Sequence, residues 1–418
     1  MSYTGGYKVL DSKQLDKEIS GKINEIIDDI IKIRRTIHQN PELGYEEYQT
    51  SELVARKLES YGIKVARGVG GTGVVGLLAG AKPGKTLLLR ADMDALPIQE
   101  ETGLPFASKV PGKMHACGHD IHTSVLLGAA RVLSLYRDRI YGNIKFMFQP
   151  AEECSPTGGA KKMIEDGVLE NPKVDFAVAL HVWPDLQVGQ LGFKTGPVSA
   201  RSDRIFLRVL GKSGHASAPH QGVDAIVASA QVISSLQTII SRRINPRDSV
   251  VITIGRIQGG DRYNVICDKV EMEGTVRIMS PGYDDKIPEL IRQAGEGAAA
   301  SVGARFEMDY INGYPMTIND EALTKKVEDL IKKSLGEGAI KEIPLDAGGE
   351  DFSFVSQKVP SVYIKLGSSL PVSSEDVGFI PLHNSRVIFD EGCISVGIKT
   401  FGIAALGLLS EQEEKHGE

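Results

Sequence analysis

The chain has 418 residues, of which 41% are hydrophobic and 24% are charged. That length exceeds what one hydrophobic core usually supports, so we expect at least two domains, and the composition is that of a globular protein rather than a disordered or fibrous one. The net charge of -6, with no lysine- and arginine-rich stripe among aromatic residues, argues against a nucleic-acid-binding protein.

Neither a secretion signal nor a membrane span is visible in the sequence. Residues 1–20 lack an apolar core behind their first charges, and no run of about 18 apolar residues occurs. The four cysteines are too few and too scattered to cross-link so long a chain, which fits a reducing compartment. We therefore predict a cytoplasmic protein without a membrane partner.

Helical and strand-like segments alternate in the first part of the chain. Apolar residues recur at helical spacing over about 15–37 and 47–61, and each stretch ends at a glycine, asparagine or proline. Apolar runs predict strands, separated by one helix over about 119–136, at 72–80, 85–94, 143–150 and 176–183. Such alternation is typical of a mainly parallel sheet covered by helices on both faces.

The pattern changes between residues 194 and 312, where the predicted order is β-α-β-β-α-β. This order is the ferredoxin-like, split βαβ unit, which commonly forms a compact domain. A helix over about 321–335, a strand at 361–367 and a helix over about 390–409 then resume the earlier alternation. We therefore predict an α/β catalytic domain formed by residues 1–193 and 313–418, with residues 194–312 inserted as a second domain.

The densest group of potential metal ligands lies where a loop enters a predicted helix. It contains His115, Cys117, His119, Asp120 and His122. A single such residue is usually a buried cysteine or a helix-capping histidine, but five of them within eight residues favour a functional site. Cys117 and His119, with only a glycine between them, can direct a thiolate and an imidazole at one point, and both suit zinc or a similar ion.

A glutamate pair follows the predicted strand 143–150. Glu152 and Glu153 stand where an α/β sheet delivers residues to its carboxyl edge, so one carboxylate can hold a metal while the other carries a proton. The ordinary alternative is a solvated acidic turn. His181 and His383 stand at comparable strand ends, although such histidines are often core residues. These residues give five candidate ligands, enough for two cations: Cys117, His119, Glu153, His181 and His383.

Two aspartates end the predicted strand 85–94. Asp92 and Asp94 can orient ligand histidines from behind, as carboxylates near metal sites often do. They can equally cap the turn that follows the strand, and the sequence leaves both interpretations open.

Eight sequence motifs resemble those of one family. In chain order they are RRTIHQNPELGYEE, RADMDALP, HACGHDIHTS, FQPAEE, LHVWP, GKSGHASAPHQGVDAI, GEDFSF and LHNSRVIFDE, and they span nearly the whole chain. The family is the aminoacylase and carboxypeptidase G type of co-catalytic metallopeptidase, in the branch that contains hippurate hydrolase, auxin-conjugate hydrolases and N-acetyl-diaminopimelate deacetylase. The resemblance implies a metal-dependent hydrolase of amide bonds.

The resemblance also implies roles for single residues. Glu152 would be the general base, and the inserted domain would be a dimerisation lid, so we expect a homodimer or higher homo-oligomer. His215 would stabilise the tetrahedral oxyanion in a neighbouring subunit's site, while Asn264 and Arg277 would bind the substrate's oxygen and its terminal carboxylate. Asp92 stands where the peptidase branch usually has a ligand histidine and is not counted as a ligand. Two divalent cations per subunit, zinc, manganese or cobalt, would be held by Cys117, His119, Glu153, His181 and His383.

Amide hydrolysis at such a site requires an activated water and a stabilised oxyanion. Glu152 is expected to take a proton from a water held between the cations and to return it to the leaving amine, and one donor such as His215 contributes roughly 3 kcal/mol to oxyanion stabilisation. The expected substrate is a small N-acyl-amino acid or short peptide, with an aryl, indolyl, acetyl or peptidyl acyl group. The alternatives are a non-catalytic metal- or metabolite-binding protein on the same fold and a dinuclear phosphoesterase, which would prefer a more basic pocket without a thiolate ligand.

Overall fold

The computed structural model describes residues 12–370 and 380–410. The chain divides into two compact units. The large unit lies within Met1–Gly196, Ile318–Pro344 and Phe354–Glu418, and the small unit comprises Pro197–Thr317 and Leu345–Ser353. No helix in the described ranges combines the length and the apolar character needed to cross a membrane.

The elements follow one another in three groups along the chain. The first group is α1 (Ser12–Gln39), α2 (Tyr48–Ser60), β1 (Lys64–Val69), β2 (Gly73–Ala79), β3 (Lys82–Asp92), α3 (His119–Ser134), β4 (Tyr141–Gln149), α4 (Gly158–Glu165), β5 (Phe176–Gln187) and β6 (Leu191–Phe193). The second is β7 (Gly196–Ser199), β8 (Arg201–Leu210), β9 (Gly214–His215), α5 (Ala225–Arg243), β10 (Val250–Gly259), β11 (Val265–Ile266), β12 (Lys269–Ile278), α6 (Lys286–Ala300), β13 (Arg305–Tyr314) and β14 (Thr317–Asn319). The third is α7 (Glu321–Leu335), β15 (Ile340–Glu342), α8 (Ser353–Ser356), β16 (Ser361–Ser369) and α9 (Gly392–Leu408).

An eight-stranded sheet runs through the large unit in the order β1-β2-β4-β3-β5-β16-β6-β15. The central pairs β4·β3, β3·β5 and β5·β16 are parallel, whereas β1·β2, β2·β4 and β16·β6 are antiparallel. Leu87, Leu88 and Leu89 of β3 are successive residues and all are fully buried, as expected for a central parallel strand with both faces covered. The predicted mainly parallel α/β sheet is confirmed.

A helical layer formed by α1, α3, α7 and α9 completes the core of the large unit. These helices pack against one another, and α3 and α9 also contact the central strands. Helix α1 is amphipathic because its isoleucines recur every three or four residues, and the buried ones are Ile19, Ile23, Ile26, Ile30, Ile33 and Ile37. This layer fixes the position of α3, whose first residue is His119.

The small unit contains a four-stranded antiparallel sheet in the order β10-β12-β8-β13, with α5 and α6 packed against it. The succession β8-α5-β10-β12-α6-β13 is the ferredoxin-like arrangement. The segment Leu345–Ser353 joins this unit through its backbone, since Ala200 N–H donates to Asp346 O at 2.9 Å and Asp346 N–H donates to Val198 O at 2.8 Å.

Candidate metal centre and catalytic residues

The carboxyl ends of three neighbouring strands meet at one edge of the large sheet. Asp92 of β3 lies opposite Gln149 of β4, and Arg90 of β3 lies opposite Ala179 of β5. This register brings His181 of β5 and the residues that follow β4 level with the end of β3. Site residues predicted from separate parts of the chain therefore reach one place.

A left-handed glycine sets the geometry of the Cys117 and His119 pair. Gly118 has φ 82° and is the N-cap of α3, and a Cβ at this position would collide with Val182 Cγ2. Glycine alone therefore fits here. The turn lets His119 begin the helix while Cys117 stays in the preceding loop, and both side chains are buried. Cys117 Sγ lies 3.5 Å from Nε2 of His181.

Asp94 holds both His119, a predicted ligand, and the glutamate pair. Its Oδ1 lies 3.2 Å from Nδ1 of His119, and its two oxygens accept the backbone N–H groups of Glu152 at 3.0 Å and Glu153 at 2.9 Å. When Nδ1 of a histidine donates to a carboxylate, its Nε2 is oriented toward a metal. Of the two interpretations that the sequence leaves open for Asp94, this geometry favours the orienting carboxylate.

His122 is held on both ring nitrogens, which removes it from the set of available ligands. Its Nε2 accepts the N–H of Val182 at 2.8 Å, so the ring proton is on Nδ1 and is donated to Oδ1 of Asp92 at 2.5 Å. The other oxygen of Asp92 lies 2.8 Å from Nη1 of Arg90. Burial opposes the ionisation of Asp92, but Arg90, His119 and His122 hold its pKa well below the usual value. Asp92 is therefore a charged support for two histidines.

His181 turns an unprotonated imidazole nitrogen toward Cys117. Its Nδ1 donates to the carbonyl of Val182 at 2.8 Å. Burial and the neighbouring His122 lower its pKa well below the usual value, so the ring is neutral and its lone pair is on Nε2. A neutral imidazole is the form that binds metals.

His383 reaches the site from a distant part of the chain. Its backbone is left-handed, with φ 63°, and its N–H donates to the carbonyl of Ala116, next to Cys117, at 3.0 Å. Its Nε2 lies 3.0 Å from Oε1 of Glu153, and half of the side chain is exposed. This histidine therefore marks the side of the site that is open to solvent.

Two triads of potential ligand atoms share the sulfur of Cys117. In each triad the atoms lie within 4.8 Å of one another, in Cys117–His119–His181 and in Cys117–Glu153–His383. The carboxylates of Glu152 and Glu153 form a further group with His119 within the same distance. All five predicted ligands and the predicted base are thus brought together in the large unit.

The chemistry of this donor set fits a divalent cation. Burial, then the carboxylates of Glu153 and Glu152, raise the pKa of the Cys117 thiol well above its usual value. In the described part of the chain, the buried Nε2 of His119 makes no hydrogen bond. A cation among these atoms would stabilise the thiolate, offset the repulsion between the carboxylates and occupy the histidine nitrogen.

A buried cluster formed by Arg34, His38, Glu100 and Asp120 supports the first turn of α3. Arg34 Nε and His38 Nδ1 lie 2.7 and 2.8 Å from Oδ2 of Asp120, and His38 Nε2 lies 3.2 Å from Oε1 of Glu100. Burial opposes the ionisation of Asp120, but Arg34 and His38 lower its pKa. Arg34 and His38 stand four residues apart in the RRTIHQ motif and therefore share one helix face. The sequence predicted no role for them.

The three lid residues implied by the resemblance lie in the small unit. His215 is exposed in β9, and its Nδ1 accepts the N–H of Ser217 at 3.1 Å. Asn264 directly precedes β11, the strand that pairs with β9. Arg277 is half-buried in β12, its Nη1 donates to Oγ1 of Thr275 at 2.5 Å, and burial lowers its pKa. The small unit thus places His215 in β9 and Asn264 directly before β11, the strand that pairs with β9.

Comparison with known proteins decides the family. Residues 88–404 match the sequence model of peptidase family M20/M25/M40. The chain belongs to this family. Among its relatives, thermostable carboxypeptidase 2 of Saccharolobus solfataricus is 40% identical over 395 residues, which cover 94% of this chain and 98% of the relative. An N-acyl-L-amino acid amidohydrolase of Geobacillus stearothermophilus is 41% identical over 304 residues, covering 72% and 81% of the two chains.

A solved structure of an M20 family member supports the same assignment. The crystal structure of a dinuclear metal-binding peptidase of the M20 family from Bacillus subtilis matches with a TM-score of 0.80 and 35% identity, covering 92% of this M20/M25/M40 chain and 99% of the other. The resemblance drawn from the motifs, the α/β fold and the enzyme class are confirmed. The chain is a hydrolase that uses divalent metal to cleave amide bonds.

Proposed function

We propose that this enzyme hydrolyses the amide bond of N-acyl-amino acids or short peptides with two divalent cations per chain. The cations would be held by Cys117, His119, Glu153, His181 and His383, with Glu152 as the general base. The observation that carries this proposal is the pair of ligand triads, one fully buried and one open to solvent at His383, that share the Cys117 thiol and lie beside a second glutamate.

The chain's own residues account for the proton movements. When bound, divalent cations acidify water and polarise the amide carbonyl. Glu152 is buried, and its carboxylate lies within 4.8 Å of the ligand atoms of His119 and Glu153. The backbone N–H of Glu152 donates to Asp94, and this hydrogen bond fixes the backbone position from which the Glu152 side chain extends. Glu152 accepts the proton of the attacking water and returns it to the leaving amine.

The substrate class follows from the chemistry and from the names of the relatives. One relative is called a carboxypeptidase and another an N-acyl-L-amino acid amidohydrolase, and both names describe an amide bond next to an amino-acid carboxylate. Arg277, as a cation on the small unit, is suited to that carboxylate. Zinc, manganese and cobalt all accept a mixture of thiolate, imidazole and carboxylate ligands.

The small unit is proposed to be a lid and dimerisation domain over residues 194–312. His215 has an exposed side chain whose Nδ1 is already engaged by Ser217, which leaves Nε2 to donate to an oxyanion in the site of a second copy. Asn264, on the neighbouring strand segment, would bind the substrate's oxygen. Mixing inactive Glu152→Gln and His215→Ala proteins would restore activity if His215 acts in a second copy, and no recovery would contradict that arrangement.

The Glu152→Gln variant tests the catalytic proposal directly. Glutamine keeps the size and the backbone contacts of the residue but cannot accept a proton. We expect turnover of N-acyl-amino acids by metal-reconstituted protein to be abolished while the bound metal per chain is unchanged. Appreciable residual turnover would exclude Glu152 as the base, and a wild-type protein that binds metal but cleaves no amide would instead indicate a binding protein.

A further inference from the structure

The turn that carries Glu152 and Glu153 is held by three successive backbone hydrogen bonds. The N–H groups of Glu152 and Glu153 donate to the two oxygens of Asp94. The preceding N–H, that of Ala151, donates to Oε1 of Glu47 at 2.8 Å. Two buried carboxylates therefore fix three consecutive amides of this turn.

Ala151 has a backbone conformation that requires such a contact. Its φ is 54°, in the left-handed region that residues other than glycine seldom adopt unless the surrounding structure enforces it. Ala151 is fully buried, so its N–H has no access to water and depends on Glu47 for a partner. The direction in which the chain leaves β4 toward Glu152 is set at this residue.

Glu47 is itself anchored at both ends. Its backbone caps α2, where its carbonyl accepts the N–H of Ser51 at 2.9 Å. Its second carboxylate oxygen accepts a hydrogen bond from the hydroxyl of Thr72, and no part of the side chain is exposed. The Glu47 side chain therefore has a fixed position and links the start of α2 to the turn after β4.

The segment before Glu47 is shaped to approach the same turn. A Cβ on Gly44 would lie 3.0 Å from Cα of Ala151 and would collide with Sγ of Cys154. The absence of a side chain at Gly44 thus allows the backbones of residues 44–47 and 151–154 to pack closely. This contact gives a physical role to the PELGYEE part of the first motif, which holds neither a ligand nor the base.

We propose that Glu47 is a positioning residue for the reaction, which acts through Ala151 to aim Glu152 and Glu153. This role rests on the proposed function of those two glutamates as base and ligand. Glu47 belongs to none of the ligand groups found among the described residues, so its loss should affect the rate of turnover and the affinity for metal rather than the binding of substrate.

The test compares Glu47→Ala, Glu47→Gln and a matched control in the full-length protein. Co²⁺ alone is the first probe, because its charge-transfer absorption with a thiolate reports binding at Cys117. For Glu47→Ala we expect the Kd for Co²⁺ to rise, and the kcat for N-acetyl-L-amino acids to fall, each by about ten- to hundredfold, the usual cost of losing a residue that supports metal ligands. KM should stay unchanged, and Glu47→Gln, which retains an acceptor for Ala151, should recover most of both losses.

Glu42 provides the matched control. It is a buried carboxylate of the same segment that accepts the backbone N–H groups of Gln49 and Thr50, both at 2.9 Å, and among the described residues its hydrogen bonds go to these residues of α2 and not to the turn after β4. Glu42→Ala should lower the melting temperature while Co²⁺ affinity and kcat stay at wild-type values. Equal losses in Glu42→Ala and Glu47→Ala, or none in Glu47→Ala, would overturn the proposal.

Two further measurements keep the outcome decisive. If Glu47→Ala does not fold, Thr72→Val replaces it, because this variant frees one oxygen of Glu47 without changing the shape of the side chain. It should weaken Co²⁺ binding and slow turnover to a smaller extent, and wild-type values would overturn the proposal. If wild-type protein binds Co²⁺ through its thiolate but cleaves no amide substrate, the proposed function fails, and the Co²⁺ affinities of the variants still decide the role of Glu47.

Discussion

Replacing Glu47 with glutamine should make the metal-free protein progressively more stable than wild type as the pH rises. The Glu47 carboxyl is fully buried. Burial, with a smaller contribution from Asp94, raises its pKa from 4.5 to about 7. In the unfolded chain the same carboxyl is hydrated and ionises near 4.5.

The sign follows from where the proton is held. Between pH 4.5 and about 7 the folded protein keeps a proton on Glu47 that the unfolded chain has already lost, so the free energy of unfolding falls as the pH rises through this window. At 1.36 kcal/mol per pKa unit, the difference amounts to about 3 kcal/mol once the pH exceeds both values. Glutamine has no proton to lose, so the Glu47→Gln variant does not incur this loss.

Urea unfolding in the presence of a chelator measures the effect. The free energies of unfolding of wild type and Glu47→Gln are compared from pH 4 to pH 8.5, and their difference should change by about 3 kcal/mol in favour of the variant, mostly between the two pKa values. Groups that titrate in both proteins cancel in this difference. A difference that is the same at both ends of the range would refute the claim that burial suppresses the ionisation of Glu47.

Three further predictions concern the proposed metal centre and the buried Asp120 cluster that supports α3. Asp94→Ala should weaken metal binding by about ten- to hundredfold in a chelator competition, because His119, a proposed ligand, and the glutamate turn both lose their partner. An unchanged metal affinity would contradict the orienting role of Asp94. Metal affinity should rise with pH toward pH 10, because the metal must displace a proton from Cys117 and one from His119. Burial and Glu153 raise the pKa of Cys117, while Asp92 and Asp94 outweigh burial and raise the pKa of His119 to about 10. A metal affinity that does not change with pH in isothermal titration would count against this. Asp120→Ala should lower the free energy of unfolding by about 3 kcal/mol, because it leaves two buried donors, Arg34 Nε and His38 Nδ1, without the carboxylate that they share, while Arg34 keeps Glu391 as a partner. A loss below about 1 kcal/mol, typical of an exposed pair, would show that the cluster is not needed.

The sequence was informative about the site wherever a predicted ligand ends an apolar strand or starts a helix. His181 follows an apolar run, and Cys117 and His119 surround a glycine before a helical pattern, so their types and positions could be interpreted together. Parallel strands deliver their carboxyl ends to one edge, which is why residues far apart in the chain were expected to meet. The structure has this arrangement, with Asp92 opposite Gln149.

The contacts that hold the glutamate turn in place could not be assigned from sequence. Asp94 was a candidate for orienting a histidine, but Glu47 was given no role, and both act on the turn by accepting backbone N–H groups. A contact of this kind has no partner side chain whose identity could reveal it. His122 belongs to the densest ligand cluster, yet the N–H of Val182 occupies its Nε2. Helix α4 (Gly158–Glu165) was not predicted either, because its eight residues are too few for a helical period to be recognised.

The position of β16 imposes an order on the assembly of the enzyme. This strand is synthesised after the whole small unit, yet it lies between β5 and β6, both of which precede that unit in the chain. A nascent chain therefore exposes two open strand edges until β16 is inserted, and such edges favour association with other chains. His383, a proposed ligand, is translated later still, so the proposed metal centre can be completed only after the chain has been made beyond β16.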